Sequence, residues 1–185
     1  TTTYTRIGGV SRDTPKGWVA AVRKFCDEVV INFDESETLL TRNRIFVDRT
    51  QGVGVISGQQ AVEYGLTGPN LRGSGMDYDL RKAQPYLVYD QLDFEVPLGS
   101  MGDSYDRYLV RVEEMRQSVR LVHQCLDKMP GGPVNVQDGK IVLPPKEKVM
   151  TRMEELIHHF LNVTQGINAP PGEVYFGHEN PKGEL

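Results

Sequence analysis

Eight apolar residues set the strongest limit on how this chain can fold: Tyr105, Tyr108, Val112, Met115, Val119, Val122, Leu126 and Met129. Their alternating steps of three and four keep heptad register, and only a long helix brings all eight to one face. Gly102-Asp103-Ser104 offers a cap before the stripe, and Pro130-Gly131-Gly132-Pro133 stops it. Two further stripes repeat the pattern. Trp18, Val22, Phe25, Val29 and Phe33 predict a first helix, capped by Asp13 or Thr14 with Pro15 in its first turn and a break near residues 32–35. Val149, Met153, Leu156, Phe160 and Val163 predict a third, starting after Pro144-Pro145 and ending at Gly166. Three long amphipathic helices need one another's apolar faces, so the chain reads as mainly α, a helical bundle with small β elements. Those elements are a hairpin over 134–143 turning at Asp138-Gly139, and a strand over 172–176.

Residues 43–102 interrupt this pattern with a stretch dense in Gly, Pro, Arg and Asp, where only a short helix near 57–64 is predicted. Long irregular segments inside a domain usually serve a function or an interface. Its run Gly65-Leu66-Thr67-Gly68-Pro69-Asn70-Leu71-Arg72-Gly73-Ser74-Gly75 lacks both the G-x-G-x-x-G and the Walker spacing. Close backbone packing against another chain explains these glycines better than a bound phosphate. Arg72, Asp79 and Arg81 present opposite charges from the same stretch, as interface ion pairs do, and are candidates for subunit contact. Mixed charges at helical spacing from Asp106 to Arg116, Glu114 among them, read as a solvent or bundle-rim face.

Composition removes several function classes. Among 185 residues, 25 acidic side chains outnumber 21 basic ones, which argues against a nucleic-acid module. No run of 18 apolar residues exists to span a bilayer. Cys26 and Cys125 stand far apart, so both are expected as buried, reduced thiols and no self-contained thiolate metal site is expected. His158 and His159 diverge on a helix and cannot chelate one ion together, while His178 sits in a polar turn with Glu179 and Lys182 that could line a cavity. A start without Met and a stop directly after Lys-Gly-Glu-Leu suggest a piece of a longer protein, here a single domain over 1–185 truncated at both ends.

Several short motifs occur in a fixed order: Arg6-Ile7-Gly8-Gly9-Val10, Leu40-Thr41-Arg42-Asn43, Arg49-Thr50-Gln51-Gly52-Val53-Gly54, Thr67-Gly68-Pro69-Asn70-Leu71-Arg72-Gly73-Ser74-Gly75, Tyr78-Asp79-Leu80-Arg81-Lys82 and Gly102-Asp103-Ser104-Tyr105-Asp106-Arg107-Tyr108. With Glu179-Asn180-Pro181-Lys182-Gly183-Glu184 closing the series, the chain resembles the D subunit of the proton-pumping NADH:quinone oxidoreductase, respiratory complex I. The resemblance implies a fold like that of the nickel-iron hydrogenase large subunit, in which the old metal cavity has become a quinone chamber. It implies an NADH:quinone oxidoreductase of which this chain is one part, on the cytoplasmic side of a bacterial membrane, reaching that membrane through partners B, C, H and I. Quinone would be substrate, the terminal iron–sulfur cluster would lie in the neighbouring B subunit, and this chain would bind no cofactor or metal of its own.

The resemblance also distributes roles. The Glu-x-Pro-Lys-Gly segment resembles the hydrogenase Glu-x-Pro-Arg-Gly element, with Lys182 in place of its Arg, so Glu179 and Lys182, with His178 just before them, are implied to face the quinone cavity. The family's quinone-binding His and Tyr belong to a hairpin that precedes Thr1, so no catalytic residue is expected within this chain and the chain alone is expected to be inactive. Thr1 stands where many members carry a His near the terminal cluster, which implies that redox-linked protonation there is absent or moved. Arg72 and Arg81 would face partner subunits. Two other classes fit parts of the pattern: the large subunit of a membrane-bound energy-converting nickel-iron hydrogenase, and a non-catalytic helical interaction module.

Overall fold

The computed structural model describes residues 4–185 and is mainly α with small β elements. In order they are strands β1 (Thr5–Arg6) and β2 (Gly9–Val10), helices α1 (Trp18–Leu40), α2 (Arg44–Thr50), α3 (Gly58–Glu63), α4 (Gly68–Gly73) and α5 (Leu80–Ala83), a 3-10 turn (Tyr89–Gln91), helices α6 (Ser104–Lys128), α7 (Lys146–Thr151) and α8 (Met153–Thr164), and strands β3 (Glu179–Asn180) and β4 (Gly183–Glu184). No helix among the described residues is long and apolar enough to cross a membrane. Position 1 lies outside the described residues. The chain divides into two compact units.

The first unit joins the segment ending at Trp18 to Pro130–Val174. Here the sequence misleads twice. Asp138-Gly139 does turn the chain, with the Ile141 and Val142 amides donating to the Asp138 carbonyl, but the two flanking runs do not pair with each other. Asn135 instead bridges Gly9, the Val136 amide donates to the Gly8 carbonyl, and the Val10 amide donates to the Val134 carbonyl. The β1–β2 ribbon offers free backbone edges, and these outcompete the local hairpin. The third stripe does form helix, but Arg152 adopts extended angles (φ −128°, ψ 127°) and splits it into α7 and α8. Next to the break, the Thr151 hydroxyl bonds back to the Glu147 carbonyl at 2.8 Å, a contact that bends helices. Met153, Leu156, Phe160 and Val163 of the stripe stay exposed.

The second unit holds Val19–Met129 and Tyr175–Leu185. Its axis is α6, whose 25 residues extend about 38 Å. Asp103 caps it, accepting from the Asp106 amide at 2.8 Å, and the other carboxylate oxygen accepts from the Gly52 amide at 2.7 Å. One buried side chain thus starts the helix and fixes the end of α2 against it. α1 is continuous through residues 32–35 and starts at Trp18 rather than at Pro15, because the Trp18 amide closes a turn onto the Pro15 carbonyl. Arg116 pairs with Asp34 and Glu37, and Arg23 with Asp127, which ties α1 along α6. Phe46 of α2 packs edge-on to Tyr108 at 5.0 Å, and the Tyr105 hydroxyl donates to the Thr41 carbonyl.

The core of this unit is small: Cys26, Ala61, Leu71, Leu80, Phe94, Val110, Val112, Leu121 and Leu126 are buried. Burying a side chain the size of Phe94 contributes about 1.5–3 kcal/mol. Cys125 departs from the expectation of two buried thiols, being exposed on α6. Segment 43–102 is more regular than its composition suggests, since α2 to α5 all lie within it. Local devices start these helices, such as the capping box in which Ser57 and Gln60 exchange hydrogen bonds, or Asn43 accepting from the Ile45 and Phe46 amides. The predicted strand over 172–176 is irregular, and the pairing falls a few residues later, with Glu179 opposite Glu184 and Asn180 opposite Gly183.

Candidate functional site

Three segments of the second unit meet at Arg72, which is 2% exposed at the end of α4. Its Nε donates to Glu114 of α6 at 2.6 Å, its Nη2 to Glu179 of β3 at 2.9 Å, and its Nη1 to the Tyr78 carbonyl at 3.1 Å. Asp79 Oδ2 lies 3.5 Å from the same Nη1. A guanidinium has the planar fork needed to serve several acceptors at once, and every buried polar side-chain atom among the described residues has a partner. Sequence reading points Arg72 at a neighbouring chain; the structure commits its donors to its own. The reason is depth, because a cation with this little exposure must be compensated where it lies.

Asp79 starts α5 by accepting from the Arg81 amide, and it grips the Arg81 side chain through both oxygens, at 3.0 Å to Nε and 2.6 Å to Nη2. Burial pushes the Asp79 pKa up, but the hydrogen bonds and charge of Arg81, with the charge of Arg72, outweigh it and hold the carboxyl below its ordinary range. Arg81 in turn stacks over Phe94, 4.8 Å from the ring centre, and is raised: burial lowers it, but Asp79 more than compensates. Glu114 behaves oppositely. Burial raises its pKa, the charge and hydrogen bond of Arg72 and the charge of Arg81 lower it, the charge of Glu179 raises it, and the net shift is upward.

Glu179 is held from both sides. Besides Arg72, its carboxylate accepts from the Leu80 amide at 3.5 Å, and its own amide donates to the Tyr86 hydroxyl at 3.0 Å. The turn that follows packs its backbone directly on α4. A Cβ on Gly68 would sit 2.3 Å from the Gly183 Cα, and one on Gly183 would sit 2.4 Å from the Thr67 hydroxyl. The close approach expected of these glycines is therefore real, but it occurs within the chain. The Glu184 amide completes it by donating to the Thr67 hydroxyl at 2.9 Å.

Between α4, α6 and this hairpin lies a cavity of about 520 Å³, walled by Arg72, Arg81, Tyr89, Arg111, Glu114, Met115, Glu179 and Lys182. Glu179 and Lys182, both singled out from the sequence, share it. His178 does not line it and serves the hairpin through its backbone, exchanging hydrogen bonds with Leu185. Sequence reading missed Glu114, hidden among alternating helical charges. Its one available signal is its place directly before Met115 of the apolar stripe, and that becomes legible only with α4 in position. A second cavity, of about 470 Å³, lies in the first unit and is lined by Asp138, Lys148 and Glu155 among others. Among the described residues no buried ion cluster adjoins it, whereas the first cavity has the Arg72 cluster in its wall. A wall of fixed ion pairs with one cation at the hairpin tip can orient a polar ring and answer a change in its charge.

The family model described as respiratory-chain NADH dehydrogenase, 49 Kd subunit, matches residues 1–185. The chain belongs to that family. It is 60% identical over its full length to the NADH-quinone oxidoreductase D subunit of Methylacidiphilum infernorum and 54% identical to that of Myxococcus xanthus, covering 44% and 45% of those proteins. Over 98% of its length it is 50% identical to the mitochondrial NADH-ubiquinone oxidoreductase 49 kDa subunit of Neurospora crassa, of which it covers 38%. The chain therefore spans less than half the length of these relatives. In this family member the Glu-Asn-Pro-Lys-Gly hairpin, α4 and α6 form one wall around Arg72.

Proposed function

We propose that the chain is part of an NADH:quinone oxidoreductase subunit and that the cavity beside Arg72 contributes to the chamber in which quinone is reduced. One observation carries this reading: Glu179 and Lys182, from a single hairpin, line the same cavity as Arg72, Arg81 and Glu114. Reducing a quinone requires two electrons and two protons, so its site must orient a polar head group and tolerate the charge that develops on it. Lys182, exposed at the tip of the hairpin, supplies a cation toward a ring oxygen. Glu179 is held by Arg72 and keeps that hairpin in register. Electrons would arrive from an iron–sulfur cluster in the neighbouring B subunit, with C, H and I as further partners, and membrane contact on the cytoplasmic side would come through those partners. Coupling of the reaction to proton translocation is part of the same reading.

Lys182→Met in the full-length subunit, assembled into its complex, tests the proposal. NADH oxidation by ferricyanide, which draws electrons before they reach quinone, should be unchanged, and the quinone reductase rate should fall about tenfold or more, the scale of one lost charge-assisted contact. A wild-type quinone rate in the assembled variant rejects the cavity as part of the chamber.

A further inference from the structure

The buried cluster does not balance. Arg72 and Arg81 bring two positive charges to three carboxylates, those of Asp79, Glu114 and Glu179. The remaining cations on the cavity wall, Arg111 and Lys182, belong to exposed residues where water screens them. Tyr89, the other titratable group there, is neutral, with burial first among the causes that push its pKa up. A buried unit of net negative charge is costly, and the least costly remedy is a proton on one carboxylate.

The geometry decides which one. Asp79 is the most firmly ionised, since it takes the Arg81 amide and two Arg81 side-chain donors and also faces Arg72. Glu179 has two donors, from Arg72 and the Leu80 amide, and is 6% exposed. Glu114 has a single donor, Arg72 Nε, and no backbone amide to hold its charge, because it sits in the middle of a helix whose amides are already used. It is also the most accessible of the three, at 16%, and it forms cavity wall, so a proton can reach it. The upward shift of its pKa agrees with this order.

We infer that Glu114 is the proton-binding residue of this cavity and that its protonation is coupled to the charge of whatever the cavity holds. Negative charge in the cavity favours the protonated, neutral cluster: where Glu114 is ionised, an O–H bond of a hydronium ion breaks, its proton forms an O–H bond on the Glu114 carboxyl group, water is released, and the cluster passes from net negative to neutral. When Glu114 is ionised, the same ligand meets a repelling wall. Because it acts through charge and through Arg72, Glu114 is a positioning residue. The inference rests on the proposed quinone chamber, whose reduced ligand would be the source of the negative charge.

The test uses the assembled complex and a soluble short-chain quinone. In the wild type the quinone reductase rate at saturating quinone should fall as pH increases through the Glu114 pKa, by up to about tenfold per pH unit for a single linked proton. Glu114→Gln, neutral at every pH, should remove that fall while ferricyanide reduction is unchanged, and should delete one protonated-carboxyl carbonyl band from the infrared spectrum of the wild type. A rate that depends on pH in the same way in the variant, or a band that persists, overturns the inference. Should Glu114→Gln not assemble, Glu114→Asp must shift the midpoint of the pH dependence, and an unmoved midpoint overturns it equally. An unaffected Lys182→Met variant together with a lost infrared band in Glu114→Gln would instead reject the chamber and leave the proton on Glu114.

Discussion

Arg72 shows why a single residue can control a site without being exposed in it. Removing its guanidinium would leave Glu114 and Glu179 without their arginine while Asp79 keeps only Arg81, and breaking a buried pair of this kind costs about 3–5 kcal/mol. Arg72→Ala is expected to lower unfolding stability by that amount, and denaturant titration would measure it. Arg72→Lys should recover only a minor part, because an ammonium gathers its three donors on one nitrogen and lacks the planar fork whose separate nitrogens reach three segments. A loss of less than about 1 kcal/mol for Arg72→Ala, the size of an exposed pair, would show that the cluster contributes no more than a surface bridge. The same measurement bears on the subunit-contact role that the sequence suggests for Arg72, because an assembly defect in such a variant has to be read beside its loss of unfolding stability.

At the level of elements, the contact between α4 and the β3–β4 hairpin is made by two glycines facing each other. Gly65 and Gly68 have nearly the same backbone angle, φ +66° and +64°, but a Cβ on Gly65 meets nothing within 4 Å while one on Gly68 strikes the hairpin. The pair therefore separates two effects. Gly65→Ala should cost about 1 kcal/mol of backbone strain. Gly68→Ala should cost roughly 1–3 kcal/mol more by forcing the hairpin away, with faster hydrogen exchange at the Glu184 amide as its marker. Equal losses in thermal unfolding would contradict the close approach. Elements of this kind divide into those a sequence reveals and those it conceals. α6 and its Asp103 cap are legible because cap, stripe and stop are neighbours in sequence. The turn at Asp138 is equally local and real, yet the strand pairing around it is not, since its partner lies at Gly8 to Val10. Glu114 reads as one more rim charge because its partners lie 42 residues away at Arg72 and beyond.

Across the whole molecule, the titratable groups pull stability in opposite directions with pH. Asp79 and Asp103 both hold their protons more weakly than ordinary: burial raises each, but Arg81 outweighs it at the first, and the Asp106, Gly52 and Tyr105 amides outweigh it at the second. Their stabilisation is complete above the ordinary carboxylate range and is lost as pH falls through their lowered values. Glu114, raised chiefly by burial, binds its proton more tightly in the fold than in the unfolded chain. Its contribution is complete below the ordinary glutamate value and is lost as pH rises through the shifted one. Denaturation midpoints measured against pH should thus fall on both sides, and Glu114→Gln should abolish only the loss on the alkaline side. An unchanged alkaline limb in that variant would contradict the assignment.

The span of the Arg72 cluster also has a consequence in time. Glu179 follows Arg72 by 107 residues, so on a ribosome adding about 5–20 residues per second the arginine waits roughly 5–20 seconds for this partner. Until Glu179 emerges the guanidinium is short of an acceptor and resists burial, so α4 cannot settle. The cavity wall therefore closes only after the β3–β4 hairpin has been made, and a pause or chaperone acting between synthesis of α4 and of that hairpin would decide whether it closes correctly.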